Sequence, residues 1–304
     1  KTSCTEITTP GTYKLGANLQ NASTSNYCIN IHDVSNVQLD CQGYSIRGLN
    51  GIRISNVRNF GVTNCTVIGD QGLAMVAAVN IEGSQNGTLS YNTLGEISSN
   101  RMYLVNVTRS NDLNIQNNLF ISAYQQNYSS RNNISNNTFK SPLTTYPGNI
   151  IASCIISNLG SNNTISHNNI DGRAVGVEVS ISDAGADDGI VVQDETDTVI
   201  SDNIIKNVWD VGVEWVGTLN RVSILRNQIS NALYGGIGGW YWAGLMNSTI
   251  SFNTVDTAPA LFQIFRIFGL RPANWDGQGA FADQGIYFTN NRFESNVLQN
   301  PTYY

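Results

Sequence analysis

The sequence predicts an all-β protein that forms a single parallel β-solenoid of about ten to eleven coils. Three observations predict it: an apolar repeat with an average spacing of about 28 residues, asparagine at one fixed place in most repeats, and few charges. Charged residues make up 12% of the 304 residues, where about 25% is usual. Uncharged polar residues replace them, including 41 asparagines.

The repeat is defined by a reference position that recurs ten times and is usually the second asparagine of an Asn-Asn pair. These positions are Gln42, Cys65, Asn92, Asn118, Asn137, Asn168, Asn203, Asn227, Asn253 and Asn291. The residues three places earlier are all apolar: Leu39, Val62, Leu89, Ile115, Ile134, Ile165, Ile200, Ile224, Ile250 and Phe288. The residues two places later are apolar or aromatic as well: Tyr44, Val67, Leu94, Phe120, Phe139, Ile170, Ile205, Ile229, Val255 and Phe293.

Each repeat is therefore expected to be one turn of a solenoid, with a short strand on either side of a bend. Alternating segments at 51–55, 189–193 and 212–216 predict a further strand in many turns. Asparagine tolerates the left-handed backbone of a tight bend, so we place the reference asparagines there. Stacked asparagines are expected to form a hydrogen-bonded ladder, while the flanking apolar side chains point inward in columns.

The recurring Ile-Ser-Asn-Asn-x-Ile pattern, with LDCQGYSIRG at 39–48, resembles the right-handed parallel β-helix superfamily of pectin-lyase-like proteins. The resemblance implies a right-handed coil, three sheets and, often, an extracellular role in carbohydrate biology. The first residues resemble the lead-in segment that covers the open end of such a solenoid. The expected organisation is one domain, 1–304, with an N-terminal cap (1–25), coils (26–296) and a C-terminal tail (297–304).

The charge balance excludes several classes of partner. A net charge of −6 argues against nucleic acid and against anionic membrane surfaces. No run of about 18 apolar residues occurs, so no membrane insertion is expected. The uncharged polarity, and a chain that begins at Lys1 and not at methionine, predict a processed protein that is secreted or lies at the cell surface.

The cysteines and glycosylation motifs point the same way. Four cysteines, Cys4, Cys28, Cys41 and Cys65, predict disulfide bonds at one end of the molecule, with three pairings open. Cys154 lies in an apolar run and is expected to be a buried free thiol. Nine Asn-x-Ser/Thr motifs suggest a glycoprotein, with acceptors Asn21, Asn64, Asn86, Asn106, Asn127, Asn133, Asn136, Asn162 and Asn247.

Long loops in the C-terminal half interrupt the repeat at 168–203 and 253–291, which predicts a functional surface there. Half of the 22 acidic residues lie within 171–214, and all five tryptophans lie within 209–275. Rings stack on sugars and carboxylates do acid–base work, so this composition suits a glycan-binding groove. The catalytic candidates are Asp171, Asp187, Asp188, Asp210 and Glu214, and the glycan-binding candidates are Trp209, Trp240, Trp242 and Trp275. Trp215 alternates with Glu214 and is expected in the core.

The known catalytic motifs of the superfamily are incomplete in this chain. Residues 169–171 and 187–188 resemble the first two motifs of polygalacturonase-like hydrolases, but the later Gly-His-Gly and Arg-x-Lys motifs are missing. His167 precedes a reference asparagine and is expected in the ladder or at the surface. No motif calls for a cofactor, although Asp183, Asp187 and Asp188 offer oxygen ligands for calcium without EF-hand spacing.

Segment 260–270, ALFQIFRIFGL, predicts one strand that is apolar on both faces. The second face must be covered by the loop at 269–284 or by another molecule. The candidates for an assembly contact are Phe262, Phe265 and Phe268.

Two functional hypotheses follow. The leading one is an extracellular structural or adhesive β-helix protein that contacts glycans, copies of itself, or both, because the catalytic motifs are incomplete. The alternative is a polysaccharide-degrading enzyme, a hydrolase before a lyase, with an acidic, tryptophan-lined groove around residues 178–276. Replacing Asp187 and Asp188 with asparagine distinguishes them, because turnover is lost only in the second case.

Overall fold

The chain is a right-handed parallel β-helix, as the sequence predicts. A computed structural model describes residues 1–21, 26–69, 77–95, 103–121, 123–141, 153–174, 186–264, 269–271, 279–281 and 286–302. Every regular element in these ranges is a strand. The same ranges hold no helix of the length and hydrophobicity that crossing a membrane requires.

The strands are short, and most have three to six residues. In chain order they are β1 (Thr5–Ile7), β2 (Gly11–Lys14), β3 (Leu19–Asn21), β4 (Ile29–His32), β5 (Ser35–Asp40), β6 (Ser45–Gly48), β7 (Asn50–Ser55), β8 (Arg58–Thr63), β9 (Thr66–Ile68), β10 (Ala77–Glu82), β11 (Gln85–Ser90), β12 (Thr93–Gly95), β13 (Tyr103–Thr108), β14 (Asn114–Gln116), β15 (Leu119–Ile121), β16 (Ala123–Asn127), β17 (Asn133–Ser135), β18 (Thr138–Ser141), β19 (Ile155–Asn158), β20 (Thr164–Ser166), β21 (Asn169–Ala174), β22 (Ile190–Gln193), β23 (Val199–Ser201), β24 (Ile204–Val208), β25 (Val211–Asn220), β26 (Ser223–Leu225), β27 (Gln228–Ala232), β28 (Gly235–Met246), β29 (Thr249–Ser251), β30 (Thr254–Asp256), β31 (Phe262–Ile264), β32 (Gly269–Arg271), β33 (Gly279–Phe281), β34 (Ile286–Thr289), β35 (Arg292–Glu294) and β36 (Val297–Gln299).

Three consecutive strands make one coil, with one strand in each of three sheets. Sheet A runs β1-β4-β7-β10-β13-β16-β19-β22-β25-β28-β31-β32, with the β33–β34 hairpin joined to it through β28. Sheet B runs β2-β5-β8-β11-β14-β17-β20-β23-β26-β29-β35, and sheet C runs β3-β6-β9-β12-β15-β18-β21-β24-β27-β30-β36. Sheets B and C have 11 strands each, which agrees with the expected number of coils.

The coils extend beyond the expected boundaries at both ends. The lead-in segment supplies β1, β2 and β3, so it is itself the first coil, with Ile7, Leu15 and Leu19 in the core. At the other end, β36 adds a strand to sheet C within the segment expected to be a tail. Both segments pair because their backbone groups find partners in the neighbouring coil.

The predicted inward columns form the core. Eighteen of the twenty flanking residues of the repeat are buried. Tyr44 is an exception at 37% exposure, because two extra residues in the first bend give its inward place to Ile46. Phe120 and Phe139 lie in one column and stack at 4.5 Å between ring centroids.

The predicted asparagine ladder is present. The Nδ2 of each buried asparagine donates to the Oδ1 of the next over 2.9–3.1 Å, through Asn92, Asn118, Asn137, Asn168, Asn203, Asn227, Asn253 and Asn296. The last member is Asn296 and not the expected Asn291, because β35 pairs with β29 and places Asn296 beside Asn253.

The left-handed residue of this bend is the one before each ladder asparagine, not the ladder asparagine itself. Positive φ angles of 52° to 59° occur at Tyr91, Asn117, Asn136, His167, Asp202, Arg226, Phe252 and Ser295, and Asn64, before Cys65, has a φ of 55°. His167 is exposed, which agrees with a surface place. The buried asparagine contributes its side chain, while its predecessor carries the backbone turn.

The cysteines resolve as two disulfide bonds, Cys4–Cys28 and Cys41–Cys65. Each bond joins neighbouring coils at the N-terminal end. Cys154 is a buried free cysteine, as predicted.

The C-terminal apolar segment is not one strand. β31 pairs with β32 in an antiparallel hairpin, Phe262 opposite Arg271. Phe262 is fully buried, with its ring centroid 5.0 Å from that of Phe293. Its side chain thus fills the core and does not face another molecule, whereas Phe265 and Phe268 lie outside the described residues.

Candidate functional site

The coil register brings distant acidic residues together. Asp187 and Asp188 precede β22, and Asp210 immediately precedes β25 in the next coil of sheet A. Because Ile190 pairs with Val213, the two segments lie side by side. One carboxylate oxygen from each of Asp188, Asp210 and Glu214 lies within 4.8 Å of the others. We call Asp187, Asp188, Asp210 and Glu214 the acidic cluster.

The cluster lies on the outer face of sheet A. Val213 and Trp215 are fully buried, so the intervening Glu214 points outward from β25, as the alternation predicts. Asp188 is only 2% exposed and Asp210 is also buried, whereas Asp187 and Glu214 are partly exposed. The cluster therefore has a buried half and a half that reaches solvent.

Asp188 is held in place by the protein. Ser153 Oγ donates to Asp188 Oδ2 over 3.0 Å, and the Val211 backbone N–H donates to Asp188 Oδ1 over 3.2 Å. The carboxyl groups of Asp188 and Glu214 lie close enough to share a hydrogen bond when one of them is protonated. Asp210 Oδ1, in contrast, is buried and has no hydrogen-bond partner among the residues that the structure describes. A buried polar atom without a partner is costly, which marks this position for a ligand.

Burial raises the pKa of every cluster member, and repulsion from neighbouring carboxylates adds to it at Asp188, Asp210 and Glu214. Desolvation raises the pKa of Asp187 to about 6. Desolvation, then the charge of Asp187, raises the pKa of Asp210 to about 7. Desolvation, then the charges of Asp210 and Asp187, raises the pKa of Glu214 to about 8. Burial, and then Glu214, raises the pKa of Asp188 well above its usual range. Near neutral pH the cluster holds both protons and negative charge, which general acid–base catalysis requires.

Asp171 does not join the cluster. It lies on β21 in sheet C, where Arg173 and Lys206 approach its Oδ2 at 3.3 and 3.5 Å. Burial alone would raise its pKa, but hydrogen bonds from Arg173 and Asn207 outweigh that effect and hold the pKa below its usual value. This catalytic candidate is an ion-paired surface group.

An aromatic pair borders the cluster. Trp209 and Tyr234 meet edge to face, with ring centroids 5.3 Å apart. Trp209 directly precedes Asp210, and the Tyr234 backbone N–H donates to the Asp210 carbonyl over 3.0 Å. Tyr234 is 37% exposed, so the pair offers an apolar surface beside the carboxyls. The side chains of Trp240 and Trp242, and all of Trp275, lie outside what the structure describes.

Gln263 is a polar group at this site that the sequence did not reveal. Glu214 pairs with Gly238, and Gly238 pairs with Gln263, so they form one outward column on sheet A. A Cβ on Gly238 would approach the Gln263 carbonyl to 2.9 Å, and one on Gly235 would lie 3.1 Å from Gln263 Cβ. Glycine lets the glutamine side chain lie close to the sheet, and Gln263 Oε1 is buried without a partner.

The carboxyl groups that the structure brings together are not the three that the sequence indicated as calcium ligands. Asp183 lies outside the described residues, and the three carboxyls that lie close together are Asp188, Asp210 and Glu214. Oxygens within 4.8 Å of one another fit the 2.3–2.6 Å bonds of a calcium ion at about their centre. The acidic cluster thus suits either protons or a hard cation.

The glycosylation candidates differ in exposure. Asn21 is buried, and its Nδ2 donates to the backbone carbonyls of Asn26 and Asn50. Five acceptors are exposed and lie in bends with positive φ: Asn64, Asn86, Asn136, Asn162 and Asn247. Three are partly exposed: Asn106, Asn127 and Asn133.

Solved structures share this fold. The A-module of mannuronan C-5 epimerase AlgE6 from Azotobacter vinelandii is 14% identical (TM-score 0.50), over 98% of this chain and 87% of that one. A DFA-IIIase from Arthrobacter chlorophenolicus A6 without its lid is 11% identical (TM-score 0.53), over 95% and 75%. A mutant tailspike protein of E. coli bacteriophage HK620 is 11% identical (TM-score 0.50), over 96% and 58%. No family model and no curated protein matches the chain. At these identities the likeness establishes the right-handed parallel β-helix fold alone.

Proposed function

We propose that the protein is an extracellular glycan-degrading hydrolase whose catalytic groups are the acidic cluster. The observation that carries the proposal is the gathering of Asp188, Asp210 and Glu214 within 4.8 Å, with Asp187 near enough for its charge to raise the pKa of Asp210 and of Glu214. Glycoside hydrolysis needs one protonated and one ionised carboxyl group at the same bond. Two disulfide bonds favour an oxidising compartment.

The roles follow from exposure and pKa. Glu214, partly exposed and with a pKa of about 8, is protonated at neutral pH and donates its proton to the glycosidic oxygen as the C–O bond breaks. Asp187, with a pKa of about 6, is ionised and accepts a proton from the attacking water. Asp188 is too buried to touch substrate and orients Glu214 through their hydrogen bond. Trp209 and Tyr234 stack against the sugar.

The test is turnover of polysaccharides, measured as new reducing ends, by the wild-type chain and two variants. Glu214→Gln is expected to lower turnover by about 10²–10⁴-fold. Asp33→Asn, at an exposed acid in an N-terminal bend, is expected to leave it unchanged. The pH profile is expected to be bell-shaped, with limbs near 6 and 8. Full turnover by Glu214→Gln contradicts the assignment of the acid.

A non-catalytic structural or adhesive surface protein is the second candidate. One observation favours it: β35 and β36 end sheets B and C, and Val297 on β36 is 45% exposed. An open sheet edge can pair with another molecule. Light scattering and electron microscopy of the native protein test it, because filaments or defined oligomers support assembly and a monomer that cleaves glycans contradicts it.

A further inference from the structure

The acidic cluster is not balanced by a cation in the described part of the chain. No basic group contributes to the pKa of Asp187, Asp188, Asp210 or Glu214. The basic residues that flank the cluster in sequence pair with other acids: Arg173 and Lys206 approach Asp171, and Arg221 approaches Asp197. An anionic ligand would therefore meet negative charge that no basic residue in the described part of the chain balances.

Two buried oxygens at the site have no hydrogen-bond partner among the described residues, Asp210 Oδ1 and Gln263 Oε1. The amide oxygen of Gln263 and the ionised carboxylate of Asp210 are both acceptors. Gln263 is 8% exposed. Its Oε1 lies 3.4 Å from the position that a Cβ on Gly235 would occupy, and Gly235 pairs with Val211 on the neighbouring strand. A ligand that satisfies these oxygens must bring O–H or N–H donors, and carboxylate or sulfate groups bring none.

Apolar side chains border the cluster among the residues that the structure describes. The Trp209–Tyr234 pair offers ring edges and faces, which match the C–H face of an uncharged pyranose. On the outward column that holds Glu214, the neighbouring position is Val191, which is 7% exposed. Neither feature recognises a negatively charged substituent.

We infer that the glycan taken by this site is neutral, a polymer whose units carry hydroxyl groups and no carboxylate or sulfate. The inference rests on the proposed function and adds the substrate class to it. The unpartnered oxygens of Asp210 and Gln263 accept hydrogen bonds from sugar hydroxyls, and the charge of the cluster excludes uronate chains. Gln263 is thereby a specificity-determining residue that holds the sugar beside Glu214.

The test compares matched polymers at pH 8, once with a chelator and once with added calcium: galactan with polygalacturonate, mannan with mannuronan, and glucan with glucuronan. Retardation in affinity gels and release of reducing ends are both measured. At least one neutral polymer is expected to bind about tenfold more tightly than its uronate counterpart. Uronate binding or cleavage in preference to the neutral partner, with chelator or only with added calcium, overturns the inference and leaves the hydrolase proposal standing. Failure to bind or cleave any polymer contradicts the proposed function, and the inference falls with it.

A pair of variants tests the role of Gln263 separately. Gln263→Leu removes the buried acceptor and is expected to weaken neutral-glycan binding about tenfold, with the Tm maintained or raised. Gln228→Leu, at an exposed glutamine on sheet C, is the matched control and is expected to bind as wild type. Recovery of binding in Gln263→Asn or Gln263→Glu distinguishes loss of the acceptor from loss of shape. Equal binding by Gln263→Leu and wild type contradicts the assignment of this residue.

Discussion

Glu195 and the acidic cluster are two ways to bury carboxyl groups within one stretch of chain. Glu195 is fully buried, and its oxygens accept hydrogen bonds from Ser157 and Thr198 at 2.6 Å, with Gly160 N and Asn163 Nδ2 at 3.2 and 3.1 Å. In the cluster, Asp210 Oδ1 has no partner. Burial raises the pKa in both places. A raised pKa alone therefore does not identify a site, and the unpartnered oxygen of Asp210 is what distinguishes the cluster from Glu195.

The largest expected effect on the free energy of unfolding comes from replacing Glu195, whose carboxyl oxygens are hydrogen-bonded. Glu195→Ala leaves the donors of Ser157, Thr198 and Asn163 buried without their acceptor, so the free energy of unfolding is expected to fall by about 3–5 kcal/mol. Urea denaturation at pH 8 measures it. Glu214→Gln is the contrasting variant and is expected not to destabilise the fold, because it removes a repelling charge. Equal losses in the two variants contradict the distinction between the sites.

The next prediction concerns the acidic cluster and the dependence of folding stability on pH. The folded pKa of Asp210 is raised from 3.8 to about 7 and that of Glu214 from 4.5 to about 8, so the folded state binds more protons than the unfolded one. This stability is fully present below the unfolded values and is lost as pH rises to about 8. The expected loss between pH 4 and 8 is on the order of 3 kcal/mol.

Denaturation curves across that range, in wild type and in the double variant Asp210→Asn/Glu214→Gln, measure the effect. The double variant is expected to show a flatter dependence. Asp171→Asn is the control. The pKa of Asp171 is lowered, so this carboxyl group titrates below the range of pH 4 to 8. A slope that survives unchanged in the double variant would show that Asp210 and Glu214 are not its origin.

The sequence predicted the architecture because the inward columns and the ladder repeat in every coil. It failed where one coil departs from the average. Tyr44 was expected inside and is outside because the first bend is longer, and Asn291 lost the ladder position to Asn296 because an insertion precedes β35. The left-handed residue was misassigned by one place, since asparagine occurs at both positions of the pair.

The site was predicted only by composition. The acids of the cluster were identified from their local excess, but their convergence depends on the pairing of Ile190 with Val213. Counting back from Asn203 and Asn227 places Asp187 and Asp210 within one residue of each other, a signal that was available. Tyr234 and Gln263 carried no such signal, because their importance lies in contacts across coils. Asp171 looked equivalent to the others until Arg173 and Lys206 appeared beside it.

A smaller effect separates the two members of one asparagine pair. Asn168 Nδ2 donates to Asn203 Oδ1 and to the Ile134 carbonyl, at 3.0 and 2.9 Å, whereas Asn169 is exposed. Asn168→Ala is expected to lower the free energy of unfolding by about 2 kcal/mol. Asn169→Ala is expected to change it by less than about 0.5 kcal/mol. Thermal denaturation of both variants measures the difference, and equal effects contradict the ladder's contribution.

The smallest expected effect comes from the aromatic pair beside the acidic cluster, where a substitution is expected to change glycan binding and not stability. Trp209 contacts Tyr234 at the rim and is partly exposed, so Trp209→Ala is expected to leave the fold intact. Glycan affinity is expected to fall about tenfold, because one stacking surface is lost. Tyr91→Ala is the matched control, since Tyr91 is 63% exposed in a bend far along the chain from the cluster. Affinity electrophoresis on the bound polymer measures both. Equal losses in the two variants would mean that binding follows exposed aromatic area anywhere on the solenoid, whereas a loss confined to Trp209 ties the glycan to the unsatisfied carboxyls.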